Sequence, residues 1–133
     1  MKKVLLQGPI SPQFISNSIE KHQSKTNIGA HDIFLGQVRN DIISGKEVTG
    51  INYTAFQKIR EAAFEKFDLI CMHIYHSTGF VRSGEISLFV FVSSAHREEA
   101  FQSCSFIVNE IKEKVPIFGK EILLDGTHTW KEN

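Results

Sequence analysis

The stretch Glu85-Ile86-Ser87-Leu88-Phe89-Val90-Phe91-Val92-Ser93-Ser94 constrains this chain more than any other. It opens with alternation and then stays apolar from Leu88 to Val92, the pattern of a β-strand covered on both faces. Such a strand belongs in the middle of a sheet. Directly after it, Phe101, Cys104, Val108, Ile111 and Val115 recur at steps of three and four. That spacing lays a single apolar stripe along a helix predicted over about Arg97–Lys114, which Pro116 stops.

The flanking segments supply the other elements. Val4-Leu5-Leu6 predicts a short strand, and Ser11-Pro12 offers an N-cap followed by proline at the first helical position, so a helix is predicted over about Pro12–His22. Ile33–Val38 and Val48–Tyr53 are rich in β-branched and aromatic residues, and Ser44-Gly45-Lys46 between them reads as a turn, which predicts a hairpin with a long loop. Phe56, Ile59, Ala63 and Phe67 have helical spacing, giving a helix from about Ala55 to Phe67 before Leu69–His76 returns to strand. Asp125-Gly126 signals a last turn, ahead of a lone Trp130 that is either a packing anchor or a pocket wall. No repeat or linker interrupts the chain. At 133 residues it is expected to be a single domain over 1–133, α+β in class, with a mostly antiparallel sheet and about three helices.

Composition narrows the function classes. Fifteen Lys and Arg balance fifteen Asp and Glu, so the global positive excess of a nucleic-acid or anionic-membrane binder is missing, and any anion must be caught locally. No apolar run approaches the length that crosses a bilayer, and the N-terminus does not read as a signal peptide, which leads us to expect a cytosolic protein. Cys71 and Cys104 lie within apolar runs without CxxC spacing and are expected to be buried and reduced.

Several polar positions are candidates for chemistry. Ser93-Ser94-Ala95-His96-Arg97 sits at a strand-to-helix junction, where free N–H groups and the helix dipole attract anions, although a solvated helix start with Glu98 and Glu99 on the dipole describes the residues as well. Arg39 leaves a strand end into a loop, either as a binding residue or as an exposed edge charge. Lys112 borders the apolar stripe and has no acid at helical spacing, whereas Lys114 has Glu110 one turn back. A lysine so placed, with Lys120 nearby as a second cation, is a candidate base or nucleophile; the plainer reading is a side chain lying along the core edge with its ammonium in water. His73 and His76 are three apart on a strand and point to opposite faces, so they do not share one ion, and Cys71 with His73 makes only two ligands; no metal site is expected.

In order along the chain stand Phe34-Leu35-Gly36-Gln37-Val38-Arg39-Asn40, His76 with Gly79 and Gly84-Glu85, Ser94-Ala95-His96-Arg97 with Ala100-Phe101, Lys112, Pro116-Ile117-Phe118-Gly119-Lys120-Glu121, and Trp130. Each piece is common; the ordered set is specific. From about Val4 to Trp130 the chain resembles the catalytic, large subunit of molybdopterin synthase, the MoaE family, with its α/β hammerhead fold. The resemblance implies sulfur transfer from the C-terminal thiocarboxylate of a small ubiquitin-like MoaD-type carrier to cyclic pyranopterin monophosphate, which forms the molybdopterin dithiolene. It implies a homodimer within a heterotetramer, and no metal or redox cofactor.

By the same resemblance Lys112 and Lys120 are the catalytic pair, Arg39, His96 and Arg97 bind the substrate anion, and Phe34 packs near the tail channel. Family members commonly carry Pro-Ile-Trp-Lys-Lys-Glu where this chain has Pro116-Ile117-Phe118-Gly119-Lys120-Glu121. A glycine therefore occupies the usual place of the second lysine, and Lys120 has to serve from one residue later, with Gly119 turning the backbone through positive φ. The alternative is a dimeric module that docks the carrier with weakened catalysis.

Overall fold

The structure is a computed structural model that describes residues 4–39, 43–123 and 127–132. Its elements are β1 (Leu5–Gln7), α1 (Pro12–His22), β2 (Ala30–Gln37), β3 (Ile43–Ile51), α2 (Tyr53–Lys66), β4 (Cys71–Arg82), β5 (Ile86–Ser94), α3 (Arg97–Lys114), β6 (Ile117–Leu123) and β7 (His128–Glu132). A seven-stranded sheet runs β2-β5-β4-β3-β6-β7, with β1 on β4 off that path. The β1–β4 pairing is parallel and the others are antiparallel, as the α+β reading expects. Asn40 and the predicted Asp125-Gly126 turn lie outside the described residues.

The apolar run is indeed an inner strand. β5 is hydrogen-bonded to β2 and to β4, and Leu88 through Val92 are at most 2% exposed. Its even-numbered residues Leu88, Val90 and Val92 pack with Phe56 and Ala63 of α2 and with Ala100, Ile107 and Ile111 of α3. Phe89 and Phe91 point the other way into a cluster with Ile10 and with Ile15 of α1, where Phe14 meets Tyr75 edge-on with ring centroids 4.9 Å apart. Each buried apolar side chain of this size contributes about 1.5–3 kcal/mol, so one strand anchors helices on both sides.

Helix ends follow local signals. The Ser11 hydroxyl accepts from the Phe14 N–H at 3.1 Å with Pro12 in the first turn, and α1 spans the residues predicted for it. α2 begins at Tyr53 rather than Ala55 because the Asn52 side chain accepts from the Ala55 N–H at 3.1 Å and caps it. α3 spans Arg97–Lys114, and the backbone N–H of Val115, just before Pro116, closes on Ile111.

The predicted β2–β3 hairpin does not form. β2 pairs with β5, while β3 runs straight through Ser44-Gly45-Lys46 and pairs with β4 and β6. Gly45 is required for close approach rather than for a turn: a Cβ there would stand 2.6 Å from the Val81 carbonyl oxygen and 2.7 Å from the Phe80 ring. β4 is also longer than Leu69–His76 suggested. Cys71–His76 pair with β5 and Gly79–Arg82 pair with β3, the change of partner falling at Gly79, whose φ of +78° favours glycine.

Gly119 has a similar role in β6. Its φ is not positive, so the expected backbone turn is absent; instead a Cβ there would lie 2.1 Å from the Glu47 carbonyl oxygen and 3.0 Å from the Val48 Cα. The β3–β6 ladder therefore leaves no room for any side chain at 119. Gly119→Ala is expected to cost about 2 kcal/mol, as overpacking typically does. Urea unfolding measures this; an unchanged midpoint would show that the ladder relaxes freely.

Candidate active site

The two ladders that share β4 meet at a half-open cavity of about 280 Å³, just under the usual range for small-ligand pockets. Val48, Val81, Leu88 and Ile117 give it apolar walls, β6 forms one side, and the C-terminal turn of α3 brings Lys112 to it. Three lysines (Lys46, Lys112 and Lys120) and two glutamates (Glu47 and Glu121) line it, so a chain of zero formal charge carries a local positive excess there.

His76 lies buried in this cavity, close enough to Lys112 and Lys46 to feel both charges. Its Nδ1 is 2.8 Å from the Ser77 carbonyl oxygen. A carbonyl only accepts, so Nδ1 carries the proton and Nε2 keeps a lone pair in the neutral ring. Burial pushes the pKa of His76 down from the ordinary 6.5; the Ser77 hydrogen bond opposes this, and the charges of Lys112 and then Lys46 add to the lowering. The site thus pairs cations with a neutral imidazole base.

Strand register sorts the lysines. Lys46 stands opposite Glu121, with Nζ 4.0 Å from its carboxylate, and on the other side opposite Val81. The neighbouring row crosses four strands as Phe80, Glu47, Lys120 and Trp130 and presents to the opposite face. There the Lys120 ammonium is 3.4 Å from the Glu47 carboxylate and 5.3 Å from the centroid of the Trp130 ring. Trp130 is 71% exposed, so it is a rim residue and not a packing anchor.

Lys112 is exposed, and among the described residues no carboxylate lies within 4.0 Å of it. Lys114 makes the surface pair its spacing predicted, 2.9 Å from Glu110. The remaining expected residues do not gather around Lys112 within one chain. Arg39 is exposed just past β2, where its carbonyl accepts from Ser83 beside the β4–β5 turn. His96 and Arg97 are exposed at the start of α3, so the helix rise of about 1.5 Å per residue separates Arg97 from Lys112 by roughly 22 Å. Phe34 is half-buried and packs against the core under α2 and α3. Lys46 was hidden by the turn reading of Ser44-Gly45-Lys46, and nothing in the sequence placed His76 between two lysines.

The architecture defines a class: an α+β domain whose bifurcated sheet holds a small cationic cavity. The chain matches the family described as MoaE protein over residues 7–114 and belongs to that family. It is 34% identical to the molybdopterin synthase catalytic subunit of Thermoplasma volcanium over 95% of this chain and 94% of that one. Against the proteins of the same name from Aspergillus fumigatus and Pyrococcus abyssi it is 36% and 34% identical, over 85% and 77% of this chain. It spans 64% of the Aspergillus protein and 74% of the Pyrococcus one. Among solved structures, molybdopterin synthase from Staphylococcus aureus superposes with a TM-score of 0.78 at 25% identity, covering 97% of this chain and 96% of that one. A complex of subunits 1 and 2 of molybdopterin-converting factor from Helicobacter pylori shares the fold, with a TM-score of 0.79 at 21% identity over 95% of this chain and 87% of that one.

The lowered pKa of His76 sets a pH dependence. Its unfolded form takes up a proton near pH 6.5 while the folded form resists, so stability is fully present above about pH 6.5 and falls as the pH drops through the window below it. His31, also lowered by burial and by His22, acts in the same direction. Melting temperatures recorded from pH 7.5 to 5 should therefore decline, and His76→Gln should flatten part of the slope; an unaltered slope would contradict the placement of His76.

Proposed function

We propose that the chain is a sulfurtransferase, the catalytic subunit of a molybdopterin synthase. It takes sulfur from the C-terminal thiocarboxylate of a small ubiquitin-like carrier and delivers it to cyclic pyranopterin monophosphate to form the dithiolene. This reading rests on Lys46 and Lys112 standing beside a buried, neutral His76 in one cavity, with Lys120 at its edge. Both reactants are anions, and a chain with no net charge has its cations collected where the two would meet. The named relatives support the reaction class, and the Helicobacter complex supports a small-subunit partner.

Each group has a role that its surroundings allow. Lys112, with no carboxylate to hold it among the described residues, is the catalytic lysine that assists attack by the thiocarboxylate or relays a proton. Lys120, paired to Glu47 and stacked on Trp130 at the rim, serves as the second cation and holds anionic charge. Lys46, on the same face as Gly119, supplies positive charge where that glycine carries no side chain. His76 Nε2 accepts a proton or a hydrogen bond from substrate.

Arg39, His96 and Arg97 remain the substrate-anion residues of this reading, and Phe34 supports the wall beside Leu88. With α3 separating them from Lys112 within one chain, His96 and Arg97 in this reading join the Lys112 cavity of a second copy. We therefore read the working unit as a homodimer carrying one small subunit on each protomer, in the cytosol.

Reconstitution with a thiocarboxylated small subunit and cyclic pyranopterin monophosphate tests the reaction. Lys112→Ala should lower the rate about 10²–10⁴-fold with folding and carrier binding intact, and Lys46→Ala should lower it too. Mixing inactive Lys112→Ala with inactive Arg97→Ala should restore on the order of a quarter of wild-type activity, because half the dimers then hold one complete site. Carrier binding without turnover by the wild type would instead establish the docking-module alternative.

A further inference from the structure

On the face of the sheet opposite the cavity, three metal-ligating side chains converge that the reaction does not use. Cys71 and His73 are two apart on β4 and share a face, and His22 comes down onto them from the last turn of α1. Their ligand atoms all lie within 4.8 Å of one another. We propose that His22, Cys71 and His73 bind one borderline-soft transition metal ion, Zn²⁺ in the first instance, with water as fourth ligand, fastening α1 to β4.

Chemistry and geometry both fit. The Nε2 atoms of His22 and His73 face each other at 3.0 Å, although their positions in the chain are 51 apart. Two nitrogens bound to tetrahedral zinc at about 2.0–2.1 Å stand roughly 3.3 Å apart, so the pair is already close to a chelating separation. The sulfur needs to close by at most on the order of 1 Å, within reach of side-chain rotation. The two imidazoles and a thiolate are the donor set that zinc and its neighbours in the first transition row prefer.

The outer contacts are those of a prepared site. His22 Nδ1 lies 2.7 Å from the Ser18 carbonyl oxygen, so it must be the donor there, which leaves the Nε2 lone pair aimed at His73. The His22 ring packs on Phe91 with centroids 4.7 Å apart, and His73 stacks on Tyr75 at an interplanar angle of 13°. Lys25 Nζ donates to Cys71 Sγ at 2.9 Å and can keep donating once the sulfur is metal-bound, offsetting charge on the thiolate. On binding, His73 changes tautomer, its bridging Nε2 proton being exchanged through solvent for one on Nδ1, and Cys71 enters as thiolate, so one proton, that of the thiol, passes to solvent.

The test uses the full chain without an affinity tag, stripped of metal, with zinc chloride for calorimetry and cobalt(II) chloride for spectroscopy. One ion per chain is expected, with a sulfur-to-cobalt charge-transfer band, intense visible bands of tetrahedral cobalt, and a melting temperature about 10 °C higher at a hundredfold excess over Kd. Cys71→Ser should remove the charge-transfer band, and His22→Gln and His73→Gln should each weaken zinc binding at least about tenfold. Absence of saturable binding, a wild-type cobalt spectrum without the sulfur band, or undiminished affinity in His22→Gln would overturn the proposal. The wild-type spectrum decides even if the Cys71 variant misfolds, and none of these readouts depends on sulfur transfer.

Discussion

The alternation of side chains along β4 assigns every helix and the cavity to one face of the sheet or the other. From Cys71 to His76 successive residues point to opposite faces, so Cys71, His73 and Tyr75 meet α1 while Met72, Ile74 and His76 face α2 and α3. Past Gly79 the same strand changes partner from β5 to β3, and the cavity opens at that change. A register slip of one residue would exchange the faces, bringing His76 under α1 and His73 beneath the longer helices. β5 prevents it, because its aromatic residues fit only beneath α1 and its valines only beneath the longer helices.

Electrostatics then shape what the cavity can do. Collecting ammonium groups in one place raises their mutual repulsion, which Glu47 and Glu121 relieve from across the strands. Lys112 lies outside those pairs, and burial together with two neighbouring charges keeps His76 neutral. Gly119 shows how backbone and charge are linked. The ladder presses the Glu47 carbonyl against it, so a lysine at 119 has no space, and the positive charge on that face comes from Lys46 on the adjoining strand.

Much of the fold was legible in the sequence because its strongest signals are local. The apolar run of β5, the stripe of α3 and the Ser11-Pro12 start of α1 each specify an element through their own residues. Strand pairing was not legible, since Ser44-Gly45-Lys46 has turn composition and its glycine is explained only by Val81 and Phe80 from a distant strand. For the same reason Lys112 was found from its missing helical partner, whereas the approach of Lys46 to His76 became visible only when β3 was seen to pair with the far end of β4. The metal-ligand cluster escaped notice because its third member sits on α1, and periodicity says nothing about which helix residue lands on which strand.

The cationic cavity holds His76 as a neutral base with its proton on Nδ1. Nitrogen-detected NMR of the imidazole rings through a pH titration reads this state. The Nδ1–H tautomer is expected, with a midpoint below the ordinary 6.5 that moves upward when Lys46 and Lys112 are both replaced by methionine. A His76 that titrates at or above 6.5, or whose midpoint ignores the loss of both lysines, would contradict it.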